Sequence, residues 1–360
     1  MPILSLIIII VYVLLISRFV RGWVSTPEFK SKEIVLQIQV TIITACKNEI
    51  KHLPYLFQAV NEQTYRNFEL ILVDDGSDDG SFEYVQQVQL NFPELKLIKN
   101  SGKGKKEAIK TAVMLSENDL IITLDADCMP SPYWLNEIVQ FYSQNPADLI
   151  ICPVKMNSDG SLFQEFQCFE FTSLIASGAG AAGLGMPILC NGANLAFRKE
   201  EWLKSENELH FEEASGDDIF LLQSIKKRKG IIFFLKSKAA AVSTNPCPDL
   251  HTFIHQRRRW ASKKGAYADY QLAFTAVIVF LASLTVLLNA VSATWEPEYL
   301  QLFLLVFILK FGVDIFLFLK VKEFFDLKRI FLNSFLFSLI YPFYILYVAV
   351  SSLFTRKGNW

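Results

Sequence analysis

Histidine and closely spaced cysteine are scarce in this chain. It has 4 His and 6 Cys among 360 residues, and no two cysteines form a C-x-x-C pair. The sequence therefore carries no zinc pattern, and reduced cytosolic thiols are the expected state of the cysteines. A formal net charge of −1 gives no sign of a nucleic-acid binder. A Walker A loop is also lacking, because Gly102-Lys-Gly-Lys105 is too short for one.

A long apolar run opens the chain at residues 3–16. Its length is near the short limit for a membrane span and is compatible with the core of a signal peptide. Met1-Pro2 supplies no basic start, however, and no small-x-small cleavage site follows. We therefore expect an uncleaved membrane anchor over residues 1–24.

Three further apolar runs lie near the end of the chain, at residues 272–291, 300–319 and 330–354. They predict a transmembrane region over 271–355. The second run contains Lys310 and Asp314, which are four residues apart and should face protein rather than lipid. The third contains Pro342, which is typical of a kinked or re-entrant segment.

Basic residues beside these runs predict the orientation of the chain. They follow the first run, precede the second and separate the third from the fourth. The positive-inside rule then places these loops, and the central domain, in the cytoplasm. The expected location of the protein is the plasma membrane. Four complete spans would put Arg356-Lys357 outside, whereas a re-entrant last segment would not, and both alternatives stay open.

The central part, residues 36–245, reads as soluble and alternates between strand and helix patterns. Apolar, β-rich runs predict strands at 40–44, 68–73, 95–99 and 120–124, and the segments between them predict helices at 53–61, 82–90 and 105–116. This alternation predicts an α/β domain with a mostly parallel sheet. Ligands bind such sheets at the carboxyl ends of the strands.

Acidic groups follow three of these predicted strands. Asp125 and Asp127, one residue apart, offer the oxygen ligands that Mg2+ or Mn2+ prefers. Asp74-Asp75 and the Lys47-Asn-Glu49 segment follow two other strands. Each group taken alone also suits a turn or a helix cap. Their recurrence at strand ends favours a common ligand site.

Three later segments each allow two interpretations. Residues 177–185 are small and suit either a substrate-facing loop or a linker. Gly216-Asp217-Asp218 precedes a helical run and suits an N-cap or a general base. The Gln256–Trp260 run, within a segment 246–270 that we expect at the membrane interface, suits attraction to anionic lipid. Alternatively, Arg259 pairs with a leaving pyrophosphate and Trp260 contacts a sugar.

Together these motifs occur in one order along the chain. The set is similar to that of membrane-bound family 2 glycosyltransferases of the GT-A fold, whose members include cellulose, chitin and hyaluronan synthases and ceramide glucosyltransferases. The resemblance covers roughly residues 40–265 together with the membrane pattern. It is carried by Lys47-Asn-Glu49, Asp74–Asp78, Gly102–Lys105, Asp125–Asp127, Gly216–Asp218 and Gln256–Trp260.

The resemblance implies a role for each motif. Asp74 and Asp75 would bind the nucleotide, and Asp125 and Asp127 would hold Mg2+ or Mn2+ against its diphosphate. Asp218 would be the general base, although Gly216-Asp217 stands where the synthases often have Thr-Glu. The other implied donor-site residues are Glu49, Lys105, Gln256, Arg259 and Trp260.

The implied function is inverting, metal-dependent transfer of a sugar from a nucleotide sugar, such as a UDP-sugar, to a lipid or lipid-linked acceptor. A processive polysaccharide synthase of the same family is the first alternative; the small number of predicted spans favours single transfer. A nucleotidyl- or phosphoryl-transferase would also use an Asp-x-Asp metal site. A non-catalytic membrane scaffold is the third alternative, and the retained acids argue against it.

Overall fold

The computed structural model describes residues 2–32, 36–90, 92, 94–211, 213, 216–262 and 268–354. Its chain divides into two compact units. The sheet unit comprises the described residues within 27–157 and 189–245, and the helix unit comprises those within 1–26, 158–188 and 246–356. The expected catalytic domain, residues 36–245, was drawn as continuous, whereas residues 158–188 pack with the apolar helices. The functional domain boundaries stay a prediction.

All of the described strands lie in the sheet unit. They are β1 (Val40–Cys46), β2 (Phe68–Asp74), β3 (Leu95–Lys99), β4 (Leu120–Leu124), β5 (Met129–Pro130), β6 (Leu149–Ile151), β7 (Val154–Met156), β8 (Asn194–Arg198), β9 (Ile232–Phe234) and β10 (Val242–Thr244).

The described helices are divided between the two units. They are α1 (Pro2–Ser25), α2 (Leu53–Asn61), α3 (Ser81–Gln89), α4 (Lys105–Leu115), α5 (Trp134–Gln144), α6 (Leu162–Gly183), α7 (Lys199–Ser205), α8 (Asp217–Lys227), α9 (Leu250–Ala261), α10 (Tyr270–Ser292), α11 (Glu298–Val321) and α12 (Ile330–Ser352). A short 3-10 turn, Glu206–Glu208, follows α7.

The main sheet has the strand order β3-β2-β1-β4-β8-β6-β9. Its first four strands are parallel, and β8 is antiparallel to both of its neighbours. Strands β1, β2 and β4 are buried along their whole length, which explains why they read as continuous apolar runs. A smaller sheet has the order β5-β10-β7. The predicted α/β class with a mostly parallel sheet is confirmed.

Within its described residues, the helix unit contains four helices that are long and apolar enough to cross a membrane, namely α1, α10, α11 and α12. They coincide with the four predicted apolar segments. Helix α12, Ile330–Ser352, continues through Pro342, and the kinked or re-entrant form of this segment stays a prediction. Arg356 and Lys357, on which the question of a re-entrant segment turned, lie outside the described residues.

The predicted ionisable pair of α11 faces protein. Lys310 is buried and donates to Asp314 Oδ2 at 2.6 Å, and the Tyr12 hydroxyl of α1 donates to Asp314 Oδ1 at 2.6 Å. Each charge therefore has a partner within the unit, as expected for ionisable groups among apolar helices.

The expectation of a loop or linker at residues 177–185 was wrong. Residues 162–183 form the continuous helix α6, which packs against α1. A Cβ at Gly180 would lie 2.1 Å from the Phe19 carbonyl oxygen, and a Cβ at Gly22 would lie 1.9 Å from the Gly180 carbonyl oxygen. The small residues therefore allow two helix backbones to come close, as small residues do at helix crossings in membranes.

Candidate active site

The predicted strand-end residues lie at the carboxyl ends of three adjacent strands. Glu49 comes after β1, Asp74 ends β2 with Asp75 directly after it, and Asp125 follows β4. Strand β1 lies between β2 and β4, and its last residue, Cys46, is in register with Asp74. The parallel pairing therefore brings these groups to one edge of the sheet.

Asp75 is held by the loops around it. Its Oδ1 accepts hydrogen bonds from Asn100 Nδ2 at 2.6 Å and from the Gly104 amide at 2.8 Å. Its Oδ2 lies 3.6 Å from Lys47 Nζ. Gly104 adopts φ +91°, a conformation that favours glycine, so the amide is presented by a backbone that few other residues would adopt. Asp75 is therefore fixed before any ligand binds.

Within the part of the chain that the structure describes, only one of the two carboxylate oxygens of Asp74 accepts hydrogen bonds. Its Oδ2 accepts the amides of Gly76 and Ser77 at 3.1 and 3.2 Å. Its Oδ1 is buried and has no hydrogen-bond partner among the described residues. Such an oxygen costs free energy unless a donor reaches it, so it is a ready acceptor for a ligand hydroxyl or N–H.

Asp125 and Asp127 form the predicted oxygen-rich pair. Lys105, the first residue of α4, donates to Asp125 Oδ1 at 2.6 Å, and Thr244 Oγ1 donates to Asp127 Oδ2 at 3.3 Å. Burial raises the pKa of Asp125, and the charges of Asp127 and Asp218 raise it further, while Lys105 opposes them. Burial works against the charged form of Lys105, yet the nearby aspartates hold the pKa of that amine above its ordinary value. Negative charge thus exceeds positive charge here.

Glu49 belongs to the same electrostatic group. Burial raises the pKa of Glu49, and the charges of Asp127 and Asp125 add to this, while His52 opposes it. His52 Nδ1 lies 2.6 Å from Glu49 Oε2. The Glu49 amide donates to Ser81 Oγ at 2.9 Å, which ties the loop after β1 to the start of α3.

Asp218 is the second residue of α8, and Gly216 caps this helix. Asp218 Oδ2 accepts the Gly192 amide at 3.0 Å, and Oδ1 accepts the Ile219 amide at 2.7 Å. Its charge acts on both Asp125 and Lys105. The structure therefore brings Asp218 to the strand-end acids from a distant part of the sequence. Glu212 and Ser215, in the predicted entry to this helix, lie outside the described residues.

The residues at this edge fit a cation that arrives with a diphosphate. Among the described residues, no three His, Cys, Asp or Glu side chains gather into a set that could hold a metal. Asp125 and Asp127 would supply two carboxylates at most. Mg2+ and Mn2+ commonly take one or two protein carboxylates and complete their shells with phosphate oxygens and water. The donor set therefore suits an ion shared with a ligand.

Gln256, Arg259 and Trp260 lie on α9, in the helix unit. Asp249 caps this helix, because its Oδ1 accepts the Thr252 amide at 2.8 Å. Gln256 and Trp260 are four residues apart and so lie on one side of α9. That these residues share a site with Asp125 stays a prediction. Lys263 and Lys264, which follow α9, lie outside the described residues.

Several contacts of the site were not anticipated. Asn100 directly follows β3, so the rule that placed the acids at strand ends would also have found it. Thr244 ends β10 in the smaller sheet, and the Gly192 amide acts through the backbone. No sequence pattern indicates that Thr244 or the Gly192 amide contacts the site.

The fold is that of a known class of enzymes. The mannosyltransferase PcManGT from Pyrobaculum calidifontis, solved in complex with GDP-Man and Mn2+, aligns over 89% of this chain and 96% of its own, with a TM-score of 0.51 and 16% identity. At this identity the likeness shows the fold alone, and the expected GT-A architecture is confirmed.

A family model matches part of the chain. Residues 41–199 match the model of glycosyl transferase family 2. The match covers less than half of the chain, and the expected resemblance to this family is confirmed over these residues.

Named relatives agree with this assignment. Glycosyltransferase AglE of Haloferax volcanii is 32% identical over 114 residues, which cover 31% of this chain and 38% of AglE. The undecaprenyl-phosphate 4-deoxy-4-formamido-L-arabinose transferase of Pseudomonas syringae is 34% identical over 110 residues, 29% of this chain and 33% of the relative. The poly-beta-1,6-N-acetyl-D-glucosamine synthase of Staphylococcus aureus is 24% identical over 139 residues, 38% of this chain and 33% of the relative. The chain thus spans about a third of the length of these relatives.

Proposed function

We propose that this protein transfers a sugar, with inversion, from a nucleotide-sugar donor to a hydroxyl of a lipid or lipid-linked acceptor. The carrying observation is the pair of consecutive residues Gly104 and Lys105. The Gly104 amide binds Asp75, and the Lys105 amine binds Asp125. One short segment thereby links the acid proposed for the nucleotide with the acid proposed for the diphosphate.

The donor would lie along the strand ends. Asp74 offers a buried oxygen that has no partner among the described residues, and Asp75 is held by Asn100. The charges of Asp125 and Asp127 act on Glu49. These groups suit the hydroxyls and N–H groups of a nucleoside. We propose that the nucleotide is a uridine nucleotide. Mg2+ or Mn2+ at Asp125 and Asp127 would neutralise charge on the diphosphate.

Asp218 is the proposed general base. In this role its carboxylate takes the proton of the acceptor hydroxyl while that oxygen attacks the anomeric carbon. The bond to the diphosphate breaks on the opposite face of the sugar, so an α-linked donor gives a β-linked product. Lys105 supplies a fixed positive charge beside the leaving group. Gln256, Arg259 and Trp260 would contact the donor and acceptor.

The membrane assignment extends this proposal. We assign residues 1–24 to an anchor, 36–245 to the catalytic domain, 246–270 to an interfacial segment and 271–355 to a transmembrane region. Four helices long and apolar enough to cross a membrane support this arrangement. We place the catalytic domain on the cytoplasmic face of the plasma membrane, where nucleotide sugars are available. One relative is named for undecaprenyl phosphate, which favours a lipid acceptor.

A direct test uses the full chain in detergent with a panel of nucleotide sugars and a membrane lipid extract, with mass analysis of the lipids. Asp218→Asn should reduce transfer by about a hundredfold to ten-thousandfold, because a general base contributes that much, and should leave nucleotide binding intact. Asp217→Asn removes the same charge one residue away and should lose clearly less. Unchanged transfer by Asp218→Asn would exclude the assigned base.

A processive polysaccharide synthase is the second candidate, because one relative is named as a poly-beta-1,6-N-acetyl-D-glucosamine synthase. Four candidate spans among the described residues form a small region for conducting a polymer, so we favour single transfer. The length of the product made by the purified protein separates the two.

A further inference from the structure

Arg257, the first arginine of the Gln256–Trp260 motif, is buried in the helix unit with only 2% of its surface exposed. Its Nε and Nη2 both donate to Glu170 Oε2, at 3.0 and 2.6 Å. The Tyr344 hydroxyl of α12 donates to Glu170 Oε1 at 2.8 Å. The buried charges of α6 and α9 thus form a neutral, hydrogen-bonded pair, which is the arrangement that keeps buried charge tolerable.

The same guanidinium contacts two other side chains of the motif. Arg257 Nη1 donates to Gln256 Oε1. The guanidinium carbon lies 4.3 Å from the centre of the Trp260 ring and 4.6 Å from that of Phe253, which are cation–π distances. Since Arg257 is fixed by Glu170, it limits the rotamers that Gln256 and Trp260 can adopt.

A second contact fixes the start of the motif helix. Gln167 lies one turn before Glu170 on α6 and is fully buried. Its Nε2 donates to the Cys247 carbonyl oxygen at 3.0 Å, and its Oε1 accepts the Cys247 amide at 2.8 Å. Helix α6 therefore holds the segment that leads into α9 as well as α9 itself.

The three consecutive arginines are not equivalent. Arg257 is committed to Glu170, and Arg258 Nη2 donates to the Ser351 carbonyl oxygen of α12 at 3.3 Å. Both contacts bind the motif helix to its own unit. Of the three, Arg259 is the one that the proposed function assigns to the diphosphate.

We propose that Arg257, held by Glu170 and Tyr344, is a positioning residue that sets the orientation of Gln256 and Trp260 for sugar transfer. This inference rests on the proposed function. It predicts that the orientation of Gln256 and Trp260 can be disturbed without changing the stability of the protein. The reason is that a buried ion pair can be replaced by apolar groups of similar size without loss of stability.

The test compares the full-length wild type in detergent with the triple variant E170M/R257M/Y344F, which removes the whole polar cluster. The unfolding temperature should stay near that of the wild type. The kcat for transfer should fall by about tenfold to a hundredfold, because a small misplacement of substrate-binding groups has effects of that size. The control is Asp314→Asn, which disturbs the Lys310–Asp314 ion pair elsewhere in the helix unit and should leave kcat and KM unchanged.

Each outcome decides the matter. A triple variant with wild-type kcat and KM would overturn the inference. If the triple variant does not fold, Arg257→Lys replaces it as the test, because a lysine cannot contact Glu170, Gln256 and Trp260 together. A kcat for Arg257→Lys equal to that of Asp314→Asn would then overturn it. A wild type that transfers no sugar would instead reject the proposed function.

Discussion

Two acids of the helix unit, Asp314 and Glu170, have surroundings unlike those of the acids at the sheet edge. In the helix unit, Asp314 is matched by Lys310, and Glu170 by Arg257. Each of these acids also accepts a tyrosine hydroxyl. The charges cancel locally, and every carboxylate oxygen named here has a donor.

At the sheet edge, in contrast, acidic side chains outnumber cationic ones. Asp125 is paired with Lys105, but burial and the neighbouring acids still raise the pKa of Asp125. Asp74 keeps one buried oxygen for which the described part of the chain supplies no partner. A folded protein tolerates such repulsion where a ligand will later relieve it. We therefore take the surplus of negative charge as the feature that distinguishes the candidate ligand site from the balanced ion pairs of the helix unit.

The largest expected effect concerns Asp125. Asp125→Asn should reduce transfer by about a thousandfold, since the metal contributes several kcal/mol to transition-state stabilisation. Because the pKa of Asp125 is raised, the folded protein binds a proton there more tightly than the unfolded chain does. The wild type, without ligands, therefore loses stability as pH rises through that pKa, and the amide should remove this loss.

Two measurements check this prediction. Calorimetry of UDP binding with and without Mn2+ should show the metal dependence in the wild type only. Thermal unfolding from pH 4 to 8, without metal or nucleotide, should show a flatter profile for the variant. A variant that is less stable than the wild type at pH 8 would mean that Asp125 is a structural residue.

An Asp→Asn substitution in the helix unit should instead lower the free energy of unfolding. Asp314→Asn leaves Lys310 buried without its counter-charge, at a cost of about 3 kcal/mol in the free energy of unfolding. The double variant K310M/D314N removes both charges and keeps an acceptor for Tyr12, so it should recover most of the loss. Thermal unfolding in detergent measures both, and an unaffected single variant would contradict the distinction between the units.

Much of the sheet unit was predictable from the sequence. Buried parallel strands read as apolar runs, so β1, β2 and β4 were found to within two residues, and their ends located the acids. Asn100 follows from the same rule and was overlooked. The Asp74 oxygen without a partner could not be predicted, because it depends on how the following turn folds around the carboxylate.

The interior of the helix unit was much less predictable. Residues 177–185 look flexible until the partner backbone of α1 is known, because only then does the close approach explain the glycines. Likewise, a run of three arginines does not reveal which one points inward. Only the position of Glu170, nearly ninety residues earlier in the chain, distinguishes Arg257 from Arg259.

Close helix packing gives the next prediction. Gly180→Ala places a Cβ 2.1 Å from the Phe19 carbonyl oxygen, so α1 and α6 must separate. We expect a loss of about 1–3 kcal/mol in the free energy of unfolding. Gly312→Ala, on α11, is the matched control, because no atom of the described residues lies within 4 Å of its added Cβ. Equal effects of the two variants would show that this crossing contributes nothing beyond helix propensity.

The smallest expected effect concerns an acid that lies in the sheet unit but outside the candidate site. It tests whether the pKa shift of an acid depends on its place at the site or on the unit to which it belongs. Glu69 lies near the amino end of β2, away from the candidate site. Its carboxylate accepts from Thr41 Oγ1 at 2.6 Å and from Asn118 Nδ2 at 3.1 Å, and pairs with Lys96 at 2.7 Å. Burial alone would raise the pKa of Glu69, but Lys96 and Thr41 outweigh it and hold the pKa below its ordinary value.

A lowered carboxyl pKa stabilises the fold above the pKa of the unfolded state, and this contribution disappears as pH falls through the folded value. For Glu69 the window therefore lies below the ordinary value of 4.5. Glu69→Gln should lose about 1 kcal/mol at neutral pH and vary less with pH in that window. Urea unfolding from pH 7 to 3 measures this, with the exposed Glu83→Gln as control. Glu69→Gln could instead gain stability at neutral pH, as we expect for Asp125→Asn. In that case the negative charge of acids in the sheet unit would be destabilising wherever they lie, and surplus charge would no longer distinguish the candidate site.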